Sequence, residues 1–239
     1  MSPTAVLVHG AWHGAWCFDR VLPLLEEAGL PALALDLPGH GADPGPLSDL
    51  HGDAARVRAE LDAVGGEVIL LGHSYGGAVI TEAGNHPSVS HLVYLAAFPV
   101  DAGESCMACA VSEFQRAGIT MEGPTLADAM VAGPGDVTTV TAQGAAQFFF
   151  HDCDPAAVEW AVARLGPQPT VTLADTPKAV AWRDKPSTYV VCSEDRAVDP
   201  RLQRIVARRC ATTIEWPTSH SPFLSRPDLV ADLVVSLAG

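Results

Sequence analysis

Lysine is nearly absent from this 239-residue chain: Lys178 and Lys185 are the only two. The other basic residues are arginines in an Ala/Gly/Pro/Val-rich background, which reads as base-composition bias without functional meaning. Positive charge is scarce altogether, with 14 Lys and Arg against 28 Asp and Glu and a formal net charge of −14. No Lys/Arg-rich run interrupts this balance, so nucleic acid and anionic membrane are poor partners. No apolar stretch reaches the roughly 18 residues of a membrane-spanning helix. The opening Met1-Ser2-Pro3-Thr4-Ala5-Val6-Leu7-Val8 lacks a charged region and a cleavage site, so the expectation is a soluble, cytoplasmic protein. Cysteine is sparse and scattered, at 17, 106, 109, 153, 192 and 210, and without a secretion signal these are expected to be free thiols. Internal repeats and low-complexity segments are also missing.

What is present is a globular composition. At 48% hydrophobic and 18% charged the chain lies far from the disordered corner, and its length suits one large domain with room for an inserted subdomain. Short apolar runs recur at Ala5–Val8, Ala32–Leu35, Val68–Leu71, Leu92–Ala96, Thr188–Val191 and Thr213–Trp216. Runs apolar on both faces predict a buried parallel sheet. Helical patterns fall between them at Phe18–Ala28, Asp53–Val64, Tyr75–Asn85, Arg201–Arg209 and Pro227–Leu237. This alternation predicts a doubly wound α/β sheet of about six strands. It fails over residues 101–185, where Gly118, Gly123, Gly133-Pro134-Gly135, Gly144 and Gly166-Pro167 break up short helical pieces. That block reads as a helical insertion over the C-terminal edge of the sheet, with residues 1–100 and 186–239 forming the core.

Gly72-His73-Ser74-Tyr75-Gly76 follows the third strand and precedes a helix, the setting of a nucleophile elbow. A sharp strand-to-helix turn brings backbones together, so small residues are needed two positions either side of Ser74. A serine hydroxyl needs a base within hydrogen-bond reach, itself oriented by a carboxylate. Around such an elbow the order is Ser, acid, His. The only histidine after His151 is His220, in a loop after the last strand. Before it, Glu194, Asp195 and Asp199 are the candidate acids. Asp199 precedes Pro200 and a helical pattern, as a helix N-cap does. Glu194 and Asp195 stay open on this reasoning. For the developing oxyanion, the Tyr75 N–H opens a helix, and a second donor should come from His9-Gly10-Ala11-Trp12, where Ala11 is the choice.

These residues carry a resemblance to the α/β-hydrolase superfamily, in the branch of plant methylesterases, hydroxynitrile lyases and bacterial esterases. The matching stretches are Leu7 to Trp16, Asp36-Leu37-Pro38-Gly39-His40-Gly41, Gly72 to Gly77, Ser193 to Pro200 and Ser219-His220-Ser221-Pro222-Phe223. The resemblance implies Ser74 as nucleophile, Asp195 rather than Glu194 as acid, His220 as base, and Ala11 and Tyr75 as oxyanion donors. It implies that the insertion is a cap forming the pocket, and gives Gly10, Trp12 and His13 substrate-side or packing roles. Hydroxynitrile lyases of this branch carry Thr at the position of Gly10 and Lys at that of Ser221, so cyanide release is disfavoured. Epoxide hydrolases and dehalogenases use Asp where Ser74 stands.

Other chemistry is less well supported. His9 and His13 stand four apart with no third ligand at metal spacing, so no metal is expected. Cys106-Met107-Ala108-Cys109 is a lone pair without a redox setting. One or two of Phe148, Phe149, Phe150, Trp160 and Trp182 should reach the pocket. The expectation is a cofactor-free serine esterase acting on a neutral apolar or aromatic small molecule. Lactonase or thioesterase activity, or a ligand receptor on the same fold, are the alternatives. A homodimer is left open.

Overall fold

The computed structural model describes residues 2–239, so Met1, where the reading of the N-terminus begins, lies outside it. Strands β1 (Thr4–Val8), β2 (Ala32–Leu35), β3 (Val68–His73), β4 (Val89–Leu95), β8 (Ser187–Cys192) and β9 (Thr212–Trp216) form one sheet in the order β2-β1-β3-β4-β8-β9. Every pairing in it is parallel. All six residues of β3 are buried, as are all six of β8, because a strand covered on both faces has no solvent side to alternate toward. The two edge strands are short and less buried, which limits the row of unpaired backbone groups they expose.

Helices α1 (Leu22–Glu27) and α11 (Pro227–Ala238) pack on each other, as do α2 (Leu50–Val64) and α3 (Gly76–Ala83). Two helices differ from the sequence reading for local reasons. The Phe18–Ala28 pattern divides into a 3₁₀ turn at Ala15–Phe18 and α1, which carries Pro23 in its first turn. Helix α2 begins three residues before Asp53, because the Asp49 carboxylate accepts the Gly52 N–H at 2.8 Å and caps it there.

The segment between β4 and β8 adds no strand to the main sheet. It holds α4 (Cys106–Ala117), α5 (Leu126–Ala129), α6 (Ala142–Phe148), α7 (Pro155–Val162) and α8 (Thr170–Ala174), but it is not purely helical as expected. Strands β5 (Met130–Gly133), β6 (Val137–Val140) and β7 (Gln168–Pro169) make a small antiparallel sheet. Gly133-Pro134-Gly135 had read as a helix breaker. It belongs to a hairpin turn, with Gly135 at φ 78° and Asp136 at φ 55° supplying the left-handed residues a tight hairpin needs. Helix α9 (Pro200–Val206) follows β8, and α10 (Pro222–Ser225) follows β9. The six cysteines are unpaired. Among the described residues, no helix is long and apolar enough to cross a membrane.

Candidate active site

Ser74 stands at the junction of β3 and α3 with φ 53°, a left-handed backbone that a residue with a Cβ adopts only when its surroundings impose it. The imposition is visible. Its N–H donates to Leu95 C=O at 3.1 Å, and its own carbonyl accepts the N–H groups of Gly77 at 2.9 Å and Phe98 at 3.2 Å. The flanking glycines are there for want of room: a Cβ at Gly72 would lie 2.4 Å from Gly76 O, and one at Gly76 would lie 2.6 Å from His9 O. The Ser74 hydroxyl has no protein hydrogen-bond partner among the described residues.

His220 and Asp195 meet as a buried pair, with Nδ1 2.6 Å from Oδ2. Asp195 Oδ1 accepts the N–H groups of Ala197 at 2.7 Å and Val198 at 2.9 Å, and Oδ2 accepts Gln203 Nε2–H at 2.8 Å. A carboxylate with this many donors is held in one orientation. Asp195 Oδ2 thus accepts from His220 Nδ1–H on one side and from Gln203 Nε2–H on the other. The other ring nitrogen of His220, Nε2, has no protein hydrogen-bond partner among the described residues. Glu194, the acid left open beside Asp195, is exposed, and Asp199 caps α9 by accepting Arg201 N–H at 2.7 Å.

Several residues that the sequence reading passed over hold this pair. Gln203 is fully buried, and besides Asp195 it bonds Val198 C=O at 2.7 Å and accepts Cys192 N–H at 2.9 Å. The signal available in the sequence was a glutamine flanked by Leu202 and placed on the core face of a helix. Asp152 Oδ2 accepts Ser219 N–H at 2.8 Å and Ser225 Oγ–H at 2.9 Å, and His151 Nε2–H donates to Glu194 C=O at 2.9 Å. The segment between β4 and β8 thus clamps the loops that carry His220 and Asp195.

Other histidines crowd the same region without adding charge. Burial, reinforced by His40, pushes His9 down to about 3, and burial takes His13 to about 4. His73 lies well below the ordinary histidine range for the same first reason, with the neighbouring His220 adding to it. Each spends a ring nitrogen on backbone: His9 Nδ1–H on Gly10 C=O, His13 Nδ1–H on Ala11 C=O, and His73 Nε2–H on His220 C=O at 2.9 Å. The His9–His13 spacing is therefore that of two loop-forming histidines.

Ser74 opens on a cavity of about 180 Å³ that Ala11, Trp12 and Tyr75 also line. The N–H groups of Ala11 and Tyr75 have no protein acceptor among the described residues. The remaining wall is apolar, with Phe98, Cys106, Met107, Leu126, Met130 and Leu173 among its members and no charged side chain. Gly10 and His13 stand off this cavity. Gly10 backs onto Ser74 Cβ and His73, and His13 is enclosed by Trp16, Phe149, Phe150 and Phe223. None of Phe148, Phe149, Phe150, Trp160 and Trp182 lines the cavity, because Phe149 stacks on Trp12 and Trp160 packs on Trp16. Phe98, just after β4, takes that place.

Behind the elbow, the Tyr75 phenol donates to Asp53 Oδ2 at 2.6 Å, while Asp53 Oδ1 is buried without a partner. Burial pushes the Asp53 carboxyl up to about 7. A carboxyl raised from its unfolded value binds more protons in the folded state across the interval, so its contribution to stability is full below about 4 and is lost as pH rises through about 7. Asp53→Asn keeps an acceptor for Tyr75 and removes the titration. It should raise the melting temperature relative to wild type at pH 8 and leave it near wild type at pH 4; thermal melts at the two pH values check this, and an equal shift at both would refute it.

The profile of the alpha/beta hydrolase family matches residues 5–233. The chain belongs to the alpha/beta hydrolase family. Among curated relatives it is 27% identical over 255 residues to an alpha/beta hydrolase, nvfD, of Aspergillus novofumigatus, covering 100% of this chain and 98% of that one. It is 29% identical over 244 residues to a pyrethroid hydrolase of Sphingobium wenxiniae, covering 98% of this chain and 86% of that one. A carbendazim hydrolyzing esterase of a Nocardioides species is 40% identical over 113 residues, 43% of this chain and 45% of that one. Among solved structures, polyneuridine aldehyde esterase superposes with a TM-score of 0.85 at 22% identity over the whole of both chains, a likeness of fold. A pyrethroid hydrolase of Sphingobium faniae superposes with a TM-score of 0.84 at 26% identity, covering 100% of this hydrolase and 98% of that one.

Proposed function

We propose that this hydrolase is a cofactor-free serine esterase that cleaves carboxylic esters of neutral, apolar or aromatic small molecules through an acyl-enzyme. The observation that carries the reading is the buried Asp195–His220 pair, 2.6 Å between Oδ2 and Nδ1, brought to the same sheet edge as a serine on a left-handed elbow. The names of the relatives, esterases and hydrolases, support ester hydrolysis as the reaction class. In the proposed mechanism Ser74 Oγ attacks the ester carbonyl carbon while its proton passes to His220 Nε2. The Ala11 and Tyr75 N–H groups receive the oxyanion. Collapse breaks the bond to the alkoxy oxygen, which leaves as alcohol with the proton from His220. Water, deprotonated by His220, then attacks the acyl carbon and Ser74 is released. Asp195 stabilises the imidazolium throughout and keeps the proton of the resting ring on Nδ1.

An apolar cavity of about 150 Å³ can hold a benzene ring, so about 180 Å³ without a charged wall suits an aryl or short acyl group. Turnover of a panel of aryl and short-chain esters tests the proposal, together with Ser74-dependent labelling by a fluorophosphonate. Labelling without turnover of any ester, lactone or thioester would favour a receptor on this fold. Reaction type is tested separately. A Cβ at Gly10 would lie 2.8 Å from both Ser74 Cβ and His73 Nδ1, so the space a lyase-type threonine would fill is closed. Position 221 offers a neutral serine where the lyases place a cation for departing cyanide, and in a pocket of effective dielectric near 20 a unit charge at contact is worth about 4 kcal/mol. Mandelonitrile should release no cyanide above the uncatalysed rate, while ester turnover continues in the presence of a chelator; Ser74-dependent cyanide release would overturn the choice.

A further inference from the structure

Trp12 is held in a conformation its own sequence does not favour. Its φ is 64°, in the left-handed region, although it carries a large side chain. Such a backbone is strained for a residue with a Cβ and persists only when neighbours fix it. Every polar group of Trp12 is fixed, and always from the segment between β4 and β8. Its N–H donates to Gln168 Oε1 at 3.1 Å, its carbonyl accepts Gly166 N–H at 2.8 Å, and its indole Nε1–H donates to Thr138 C=O at 3.1 Å.

Gln168 is the member of this set that acts on the peptide between Ala11 and Trp12. It is fully buried, and its amide is oriented from both ends. Nε2–H donates to Thr172 Oγ at 2.7 Å, while Oε1 takes the Trp12 N–H and lies 2.9 Å from His40 Nε2. In the same loop, His13 N–H donates to Gly10 C=O at 3.3 Å. The N–H groups of residues 12 and 13 are thus engaged, while that of Ala11 has no protein acceptor among the described residues.

We propose that Gln168 is a positioning residue for the oxyanion hole: by accepting the Trp12 N–H it holds the left-handed turn that reserves the Ala11 N–H for the substrate. The proposal rests on the esterase reading above. It makes the oxyanion hole a joint product of the loop after β1 and a glutamine more than 150 residues away, 156 positions from Trp12. The side chain touches no reacting atom, so its effect should fall on turnover and spare ground-state binding.

Two variants separate this role from mere docking of one segment on the other. Gln168→Met keeps length and volume and removes the acceptor. Gln168→Glu keeps length, volume and an oxygen for the Trp12 N–H. On an aryl ester that the wild type hydrolyses, Gln168→Met should lower kcat by about 10- to 100-fold, less than the ~10²–10³-fold seen when an oxyanion donor is lost outright. KM should move less than about threefold, and Gln168→Glu should recover kcat to within about fivefold of wild type. Circular dichroism and melting temperature establish that both are folded. A folded Gln168→Met variant with wild-type kcat overturns the proposal. Equal losses in both variants, or a loss confined to KM, assign Gln168 to packing and also overturn it. If either variant fails to fold, Thr172→Val, which releases the Nε2 end of the Gln168 amide, replaces it: kcat should fall at least about threefold with KM moved less than that, and a smaller loss in a folded variant overturns the proposal. Absence of ester turnover in the wild type would instead remove the esterase reading, and this inference with it.

Discussion

Ester turnover should vanish in Ser74→Ala, to below about one per cent of the wild-type rate, because loss of a triad nucleophile costs several powers of ten. The fold should survive. The hydroxyl has no protein partner to lose, and alanine meets the same backbone demand at φ 53° that serine does. The three hydrogen bonds that set the elbow all run through the Ser74 main chain, to Leu95, Gly77 and Phe98. Far-ultraviolet circular dichroism and melting temperature should therefore match wild type, and fluorophosphonate labelling should disappear. Residual turnover above one per cent in a folded variant would end the assignment of Ser74 as nucleophile.

Asp195→Asn and Asp199→Asn should diverge sharply although they lie four residues apart. At Asp195 both oxygens are taken by donors: Ala197 and Val198 on Oδ1, Gln203 and His220 on Oδ2. An amide placed there must turn its NH₂ toward one of these pairs, whichever way it faces. If it faces His220, the ring is driven to the other tautomer, a change worth about 10⁴ in rate in the serine-protease case. If it faces the turn, two backbone donors lose their acceptor and the loop must shift. Asp199→Asn keeps the cap on Arg201 N–H and loses only a partly exposed ion pair with Arg201, worth about 0.2–1 kcal/mol. Its kcat/KM should stay within about twofold of wild type. A dead Asp199→Asn beside an active Asp195→Asn would reverse the assignment.

All six main-sheet strands could be read from the sequence, since runs such as Val68–Leu71 are buried on both faces and leave an uninterrupted apolar signature. The elbow was equally legible, because the close approach of Gly72, Gly76 and the His9 carbonyl leaves only glycine at fixed offsets from Ser74. The choice between Glu194 and Asp195 was not a local matter. It depends on the bend after β8, which exposes the first and turns the second toward His220, and resemblance rather than spacing selected Asp195. The small sheet of β5, β6 and β7 was missed because four-residue strands beside Gly133-Pro134-Gly135 carry too little periodicity to outweigh the breakers. The pocket aromatics were missed for a different reason. Composition places Phe149 and Trp160 near the site, but only packing on Trp12 and Trp16 decides that they support the cavity from behind.

The backbone contact between the elbow and the loop after β1 has a consequence for how such a protein can change. With a Cβ at Gly76 meeting His9 O at 2.6 Å, and one at Gly10 meeting Ser74 Cβ at 2.8 Å, the close approach of the Ser74 elbow and the loop after β1 is set largely by glycines. Side-chain replacement on the cavity wall leaves that spacing alone. Cys106, Met107, Leu126 and Met130 come from a different stretch of chain, and exchanging them alters what is admitted without retuning what is done to it. The side chains that would select an ester are thus not the ones that fix the elbow.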